Sequence, residues 1–254
     1  MPNNFLKFLG TSGARFVMIK QLRSSGGIWV NAAGTNVLID PGPGSIVRCA
    51  ESRPRLDPTK LDGIILTHRH LDHAGDINVM IEAMTEGGFK KRGLVFCPRD
   101  AVKNDSVILD YIKGLPKDIK IIRALKSYSV GGFTFETSMR HIHPVETYGL
   151  KFNINGQSVG LLSDTRYFDG LTKFYKSDIL IICVVFYEKH SGVDHLCLSE
   201  AERIINKTCP KRAILTHFGT GMLKAGVDLQ AKMISRKLGI EVVSAYDGME
   251  VKFQ

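Results

Sequence analysis

The sequence predicts an α/β protein with four layers, an αββα sandwich of two mixed β-sheets flanked by helices. Two observations lead to this fold class. β-Rich segments form two blocks, one in the first third of the chain and one in residues 133–162, and helical segments flank each block. The chain has 254 residues, of which 44% are hydrophobic and 23% charged, so it can bury such a core without covalent cross-links. We therefore expect one domain over residues 1–254.

Turn residues divide the first block of strands. Residues 28–31 and 36–39 face each other across Ala-Ala-Gly-Thr, a spacing typical of a hairpin. Pro41-Gly42-Pro43-Gly44 then ends the second of these strands, because proline cannot donate to a strand ladder. In this part of the chain, strands are predicted at residues 5–9, 15–20, 28–31, 36–39, 63–67 and 94–97, and helices at 46–51, 77–85 and 107–113.

The second block contains Asn155-Gly156, which is typical of a two-residue hairpin turn between strands. Beyond it, strands and helices alternate to the end of the sequence. The predicted strands are 133–139, 149–154, 158–162, 179–186, 213–216, 241–244 and 249–253, and the predicted helices are 199–207 and 229–238.

The charge balance and the cysteine content indicate which partners and which cellular compartment to expect. The 34 Lys and Arg residues against 25 Asp and Glu give a net charge of +9, which favours anionic partners, although scattered surface charge on a soluble enzyme is the simpler interpretation. The 5 cysteines are far apart and include no CxxC pair, which fits a reducing cytoplasm. We expect no membrane partner, because no apolar run reaches about 18 residues. A homodimer is left open.

A histidine-rich loop follows the strand predicted at residues 63–67. It reads His68-Arg69-His70-Leu71-Asp72-His73. Imidazole nitrogens and carboxylate oxygens are the ligands that zinc and neighbouring divalent ions prefer. Alternate residues of an extended segment point the same way, so His68 and His70 can share one ion while Asp72 and His73 turn toward a second. A metal-free histidine cluster is the alternative, and repulsion between protonated groups disfavours it.

This loop resembles the signature of the metallo-β-lactamase superfamily of dinuclear metallohydrolases. Asp40-Pro41-Gly42, after an apolar strand, is similar to the early aspartate motif of that superfamily. Later residues resemble its remaining ligand motifs in order and spacing: His143 six residues before Gly149, Asp164 in Leu-Leu-Ser-Asp-Thr-Arg, and His217 in Leu-Thr-His-Phe.

The resemblance implies a ligand set for two ions. It implies that His68, His70 and His143 bind one ion, that Asp72, His73 and His217 bind the other, and that Asp164 bridges them. Asp40 is expected to orient the ligand loop rather than to bind metal. His141 is the alternative to His143 as the third histidine ligand. His143 is preferred because its separation of six residues from Gly149 fits the family. His190 lies in a polar loop, and no role in the site is expected for it.

Two divalent ions that share a carboxylate can supply a bridging hydroxide near neutral pH, which hydrolyses phosphodiesters, lactones, thioesters or β-lactams. Zinc is the expected metal, with manganese and iron as alternatives. His195 precedes a predicted helix and resembles the histidine that donates a proton to the leaving alkoxide in the RNase Z group and related phosphodiesterases. His195 and Asp72 are therefore the candidate catalytic residues.

The sequence departs from the RNase Z group at one point. It has no long Gly/Pro-rich insertion comparable to the arm with which those enzymes hold tRNA. We therefore expect a phosphodiesterase that acts on a small nucleotide, a cyclic phosphodiester or an RNA end. The alternatives are a hydrolase of lactones or other carboxylic esters, and a non-hydrolytic protein of cofactor synthesis or nucleic-acid binding. Arg23 and Arg166 are candidate phosphate-binding residues, with solvated loop arginines as the alternative.

Overall fold

The computed structural model describes residues 4–13 and 15–253. The strands are β1 (Asn4–Phe8), β2 (Ile28–Ala32), β3 (Thr35–Ile39), β4 (Gly63–Ile65), β5 (Leu94–Cys97), β6 (Asp118–Ile121), β7 (Ser127–Val130), β8 (Phe133–Arg140), β9 (Tyr148–Ile154), β10 (Gln157–Leu162), β11 (Ile179–Cys183), β12 (Arg212–Thr216), β13 (Glu241–Ser244) and β14 (Glu250–Phe253). The α-helices are α1 (Phe16–Ile19), α2 (Ser45–Glu51), α3 (Leu71–Ala74), α4 (Ile77–Met84), α5 (Leu171–Phe174), α6 (Leu198–Thr208), α7 (Thr220–Lys224) and α8 (Val227–Leu238).

Within the described residues, the strands form two seven-stranded sheets, and both sheets are mixed. The first has the order β14-β1-β2-β3-β4-β5-β6, antiparallel from β14 to β3 and parallel from β3 to β6. The second has the order β13-β12-β11-β10-β9-β8-β7, parallel from β13 to β10 and antiparallel from β10 to β7. Each sheet thus has one parallel half, in which all strands end at the same edge.

The two sheets pack face to face, and helices cover their outer faces. Strand β11 illustrates the layering, since all five of its residues are buried. Ile179 and Ile181 belong to the apolar cluster between the sheets, whereas Leu180 and Ile182 belong to the cluster under α6 and α8. On the other side, α2 and α4 pack on the outer face of the first sheet. The predicted four-layer αββα class is therefore confirmed, while the single domain over residues 1–254 stays a prediction.

The strand predicted at residues 15–20 is wrong. Phe16, Val17 and Ile19 have strand-forming side chains, but the segment forms the short helix α1. The Ile19 N–H donates to Arg15 O and the Lys20 N–H to Phe16 O, each at 3.0 Å. These local hydrogen bonds satisfy the backbone without a neighbouring strand. Of the helical residues only Val17 is buried.

The helix predicted at residues 107–113 is also wrong. Ile108 and Ile112 are buried at a helical spacing, but the segment is a series of turns. The Asn78 side chain accepts from Leu109 N–H and donates to Val107 O, both at 2.9 Å, and so holds the backbone in a non-helical path. Two strands that the sequence did not indicate, β6 and β7, form one edge of each sheet.

The parallel halves of the two sheets determine where side chains of different segments can meet. Asp40 follows β3, residues 66–70 follow β4, Asp164 follows β10 and His217 follows β12. Loops at the carboxyl ends of parallel strands lie at one edge of a sheet, where ligand sites of α/β proteins are commonly found. Among the described helices, none is long and apolar enough to cross a membrane.

Candidate metal centre

Histidine and aspartate side chains from both sheets converge at this edge. His68 lies in the loop after β4, Asp72 and His73 lie on α3, and His143 lies in the loop after β8. Within the described part of the chain, the potential ligand atoms form two main groups, in each of which the atoms lie within 4.8 Å of one another. One group contains His68, His70 and His143, and the other contains Asp72, His73, Asp164 and His217.

Asp164 lies at the centre of the cluster. Its Oδ2 is 3.8 Å from His68 Nε2, 3.5 Å from His73 Nε2 and 3.3 Å from His217 Nε2. The residue is only 2% exposed. This carboxylate therefore contacts both groups, which is the position that a bridging ligand requires.

The polar atoms that face the centre of the cluster are unsatisfied. Among the described residues, the buried side-chain atoms without a hydrogen-bond partner include His68 Nε2, His73 Nε2, His217 Nε2, Asp72 Oδ2 and both carboxylate oxygens of Asp164. An unpartnered buried polar atom costs about 1–3 kcal/mol, and more where it is charged. So many such atoms in one place indicate that they serve a ligand.

The geometry of the cluster fits divalent cations. Two atoms that share a tetrahedral zinc ion at about 2.0 Å lie about 3.3 Å apart. His217 Nε2 is 3.4 Å from Asp72 Oδ2, and His143 Nε2 faces His70 Nδ1 at 3.0 Å. Burial lowers the pKa of His68 well below its usual value, and burial together with His143 lowers the pKa of His70 to about 4. Neutral imidazoles with free lone pairs are metal ligands, so this His/Asp cluster is a candidate dinuclear metal site.

Asp40 and Thr67 hold two of the histidines in one tautomer. Asp40 Oδ1 accepts from the Thr67 N–H at 2.6 Å, and Asp40 Oδ2 accepts from the Thr67 hydroxyl at 2.7 Å and from His73 Nδ1 at 3.0 Å. Because the Thr67 hydroxyl donates its proton to Asp40, its oxygen accepts from His68 Nδ1 at 3.0 Å. In both histidines the proton is therefore on Nδ1, and Nε2 is free to bind an ion.

His143 and His141, which compete in the sequence, have different surroundings. His143 Nδ1 donates to Asp194 O at 2.9 Å, and its Nε2 faces the cluster. His141 has both nitrogens engaged, since Nδ1 donates to Asp164 O at 3.0 Å and Nε2 accepts from the Tyr175 hydroxyl at 2.6 Å. His141 thus supports the backbone of Asp164 rather than facing the centre.

Two residues of the site have left-handed backbone conformations. Asp40 has φ 54° and His217 has φ 62°, values that are uncommon for residues other than glycine. The Asp40 N–H donates to Ile65 O at 2.8 Å, and the next residue after His217, Phe218, donates from its N–H to Thr11 O at 2.9 Å. Hydrogen bonds on the flanking backbone therefore hold the strained conformations that aim these side chains inward.

His195 lies at the margin of the cluster. Its side chain is 12% exposed, and its Nδ1 is 3.5 Å from Asp164 Oδ2, with no hydrogen-bond partner within the described ranges. The His143 ring lies 5.0 Å away between centroids. Burial lowers the pKa of His195 below its usual value. A histidine here can reach a substrate bound at the cluster, or can serve as an additional ligand, since His143, Asp164 and His195 also satisfy the distance limits for one ion.

The two candidate arginines differ in how directly they contact the space around the cluster. Arg166 is exposed and pairs with Asp194, Nε to Oδ1 at 3.5 Å, and it lines a cleft of about 260 Å³ together with Lys189 and His195. The half-buried Arg23 donates to Thr11 Oγ1 at 3.4 Å, and Thr11 lines the interior cavity beside Asp72 and His217. Arg166 thus faces the same cleft as His195, whereas Arg23 reaches the site only through Thr11.

Sequence reasoning missed three supporting residues. Thr67 and Ser163 connect the ligand loops through their hydroxyls at 2.9 Å, and Asp194 supports His143 through its carbonyl. Thr67 and Ser163 each directly precede a candidate ligand, so adjacency in the sequence could have indicated them. The role of Asp194 has no sequence signal, because it depends on its backbone carbonyl.

Comparison with known proteins agrees with this site. Residues 35–218 match the family described as the Beta-lactamase superfamily domain, which covers more than half of the chain and includes all of the candidate ligands. The chain belongs to this superfamily. Membership supports a metal-dependent hydrolase, which is the class that the sequence predicts.

Two curated proteins and the crystal structure of one of them are similar to this chain. Uncharacterized protein MJ1374 of Methanocaldococcus jannaschii is 27% identical and covers 96% of this chain and 93% of its own length. Probable metallo-hydrolase YhfI of Bacillus subtilis is 31% identical over 62% of this chain and 66% of its own. The crystal structure of YhfI, described as a metallo-beta-lactamase fold protein, has a TM-score of 0.81 and covers 99% of this chain and 100% of its own.

Two further solved structures share the fold. A diphosphatase from the PhnP family has a TM-score of 0.72 at 22% identity and covers 99% of this chain and 97% of its own. The short form of human tRNase Z has a TM-score of 0.71 at 19% identity and covers 97% of this chain and 98% of its own. The resemblance to the metallo-β-lactamase superfamily and its RNase Z-like members is thereby confirmed at the level of the fold.

The position of Asp164 between the two groups predicts how metal content responds to substitution. Asp164→Ala should reduce occupancy of both ions, because this carboxylate contacts both groups, whereas His217→Ala should reduce occupancy of one. Elemental analysis of the dialysed proteins, with two ions expected per wild-type chain, measures this difference. Equal losses in the two variants would show that Asp164 does not bridge.

The hydrogen bonds of Asp40 predict an effect on affinity without loss of a ligand. Asp40→Asn replaces an oxygen that accepts from Thr67 and His73 with an amide donor, so the Nε2 atoms lose their fixed orientation. We expect metal affinity to fall about 10–100-fold, as measured by calorimetric titration of metal-stripped protein. Asp110→Asn, at a carboxylate that is 95% exposed, is the matched control and should leave affinity unchanged.

Proposed function

We propose that this protein is a dinuclear zinc phosphodiesterase that acts on a small nucleotide, a cyclic phosphodiester or an RNA end. One observation carries the proposal: His195 lies beside the His/Asp cluster and opens into a cleft with basic side chains. The nitrogen and oxygen donor set favours zinc.

The cluster and His195 have different roles in the proposed hydrolysis. Two divalent ions bound there would lower the pKa of an attacking water and polarise the phosphoryl group. Asp40 and Thr67 keep His68 and His73 oriented throughout, so the ligand set needs no reorganisation during the reaction. His195 would donate a proton to the departing alkoxide. The alkoxide of a phosphodiester is a poor leaving group, so a placed proton donor contributes about 10²–10⁴-fold to the rate.

The charge distribution supports an anionic substrate. Residues 90–126 contain ten Lys or Arg and four Asp or Glu, so this segment is more basic than the chain as a whole. The basic residues at the start of this segment precede β5 and lie at the edge of the first sheet away from the cluster, and its contacts with the ligand loop are those of Asp100 and Asp105 with Arg69. The support for an anionic substrate is therefore the net charge of +9 and the basic side chains of Arg166 and Lys189 in the cleft that His195 lines.

The similar proteins support phosphoester chemistry without naming a substrate. The PhnP-family structure is a diphosphatase, and human tRNase Z is named for tRNA. A lactone also releases an alkoxide, so a placed proton donor would serve that reaction too, and a non-hydrolytic role is compatible with His195 as an additional ligand. The phosphodiesterase proposal is favoured because Arg166 and Lys189 line the same cleft as His195 and their positive charge suits a phosphate.

The position of His195 predicts a dependence on the leaving group. His195→Ala should retain both ions and lose about 10²–10⁴-fold in kcat on a diester with an alkyl alcohol as leaving group. The loss should be much smaller on bis-p-nitrophenyl phosphate, because p-nitrophenolate leaves without protonation. Steady-state kinetics on both substrates, with metal analysis of the variant, measures this.

The matched control is His70→Ala, which should damage both reactions because it removes a candidate ligand. Equal losses of His195→Ala on both substrates at full metal content would contradict the role as proton donor. Loss of metal from His195→Ala would instead assign His195 to the ligands.

Arg166 should contribute to substrate binding through the cleft that it shares with His195. Arg166→Ala should raise KM for phosphodiesters about 10-fold, because a charged hydrogen bond to phosphate is lost. Arg236→Ala, at an exposed arginine on α8, is the control and should leave KM unchanged. An unchanged KM in Arg166→Ala on every diester tested would assign Arg166 to the solvated surface.

A further inference from the structure

An aromatic cleft of about 620 Å³ lies next to the site, and the proposed chemistry does not use it. Its lining includes Phe16, Phe186, Tyr187, Thr220 and Lys224, and we call it the aromatic cleft. Phe16 is 60% exposed and Tyr187 41% exposed. Cavities of about 300–1,000 Å³ with aromatic walls and a few polar groups are typical of small-molecule sites.

The aromatic cleft adjoins the cleft that contains His195. The Phe186 ring lies 5.9 Å from the His195 ring and 4.5 Å from the His190 ring, between centroids. His190, for which the sequence suggested no role, lines both the aromatic cleft and the cleft that contains Arg166 and His195. One bound molecule can therefore extend from the cluster past His195 into the aromatic cleft.

The backbone holds the aromatic cleft and His195 in a fixed relation. The Phe186 N–H donates to Leu196 O at 3.2 Å, and the Leu198 N–H donates to Phe186 O at 2.9 Å, so Phe186 pairs with the segment that carries His195. The Gly219 N–H donates to Val185 O at 3.0 Å. A Cβ on Gly219 would lie 2.4 Å from that oxygen, so this close approach requires glycine.

We propose that the aromatic cleft binds the base of a nucleotide substrate while the phosphate lies at the cluster. This inference rests on the proposed function and names its substrate class, a diester that carries a nucleoside. Flat rings stack on Phe and Tyr side chains, and Glu188, Thr220 and Lys224 offer polar groups for the edge of a base. Stacking of one base on an aromatic side chain is worth about 1–3 kcal/mol by alanine substitution.

The composition of the lining distinguishes a base from an acyl chain. An acyl chain, as in a lactone substrate, is favoured by a continuous aliphatic wall. Here Val185, Ala225 and the aromatic rings alternate with Glu188, His190 and Lys224. Desolvation of these polar groups by an acyl chain would cost free energy, whereas a base can hydrogen-bond to them.

The test uses pairs of esters that differ only in the nucleoside. Adenosine and thymidine 5′-(p-nitrophenyl phosphate) are compared with methyl p-nitrophenyl phosphate, so the leaving group is constant. In Tyr187→Ala and Phe16→Ala, the ratio of kcat/KM between nucleoside and methyl esters should fall about 5- to 100-fold. Tyr187→Phe should retain the ratio, because it keeps the ring.

Phe89→Ala is the matched control. Phe89 is 93% exposed and lies just before β5, at the edge of the first sheet opposite to the cluster, so this variant should leave the ratio unchanged. Thermal unfolding verifies that the variants fold, which the exposure of Phe16 and Tyr187 favours. Should one variant fail to fold, the other carries the test.

Direct binding separates this inference from the proposed function. Calorimetric titration with adenosine and thymidine, which carry no phosphate, should show saturable binding to the wild-type protein that weakens in Tyr187→Ala. If no ester is hydrolysed, the proposed function fails, and nucleoside binding still supports or overturns the base site. Unchanged ratios and unchanged nucleoside binding in both variants would overturn it. A second result would also overturn the base site: a wild-type protein that is a dimer, does not bind nucleosides and becomes a monomer in the variants. The aromatic cleft would then be a subunit interface.

Discussion

The buried carboxylate of Asp164 is the constraint on which the rest of the site depends. An anion that is 2% exposed is costly unless cations or donors surround it. Around Asp164 Oδ2, the nitrogens of His68, His73, His195 and His217 lie at 3.3–3.8 Å, and no described residue donates a hydrogen bond to either of its oxygens. Such an arrangement requires positive charge at its centre, which is why the cluster is a candidate site for divalent ions.

The surrounding network makes the arrangement rigid and connects the two sheets. Thr67 follows a strand of the first sheet and Ser163 follows a strand of the second, and their hydroxyls meet at 2.9 Å. The Tyr148 N–H, from the second sheet, donates to Thr67 O at 3.2 Å. Because the same threonine also holds Asp40 and His68, the packing of the sheets and the orientation of the ligands are coupled.

The fold and the substrate preference come from different parts of the molecule. Proteins with this fold and less than 25% identity include a diphosphatase and a tRNase Z, so the two sheets do not select the substrate. Two clefts lie beside the cluster, the one that contains Arg166 and His195 and the aromatic cleft near Phe186. Their linings come mostly from loops and short helices, the elements that can change while the sheets keep the ligands in place.

The sequence by itself determined the elements and groups whose causes are local. Alternation, turn residues and the spacing within residues 68–73 depend on neighbours along the chain, so most strands and the ligand loop were predictable. Local patterns also misled at residues 15–20, where local helical hydrogen bonds replace the expected strand, and at residues 107–113, where the distant Asn78 side chain holds the backbone in a non-helical path.

Only the tertiary structure decided between His141 and His143, because Tyr175 and the Asp194 carbonyl, both distant in sequence, engage their nitrogens. It also decided that Phe16 and Phe186 face one cleft. Contacts between residues so far apart depend on how the two sheets pack, and no periodicity along the chain records that packing.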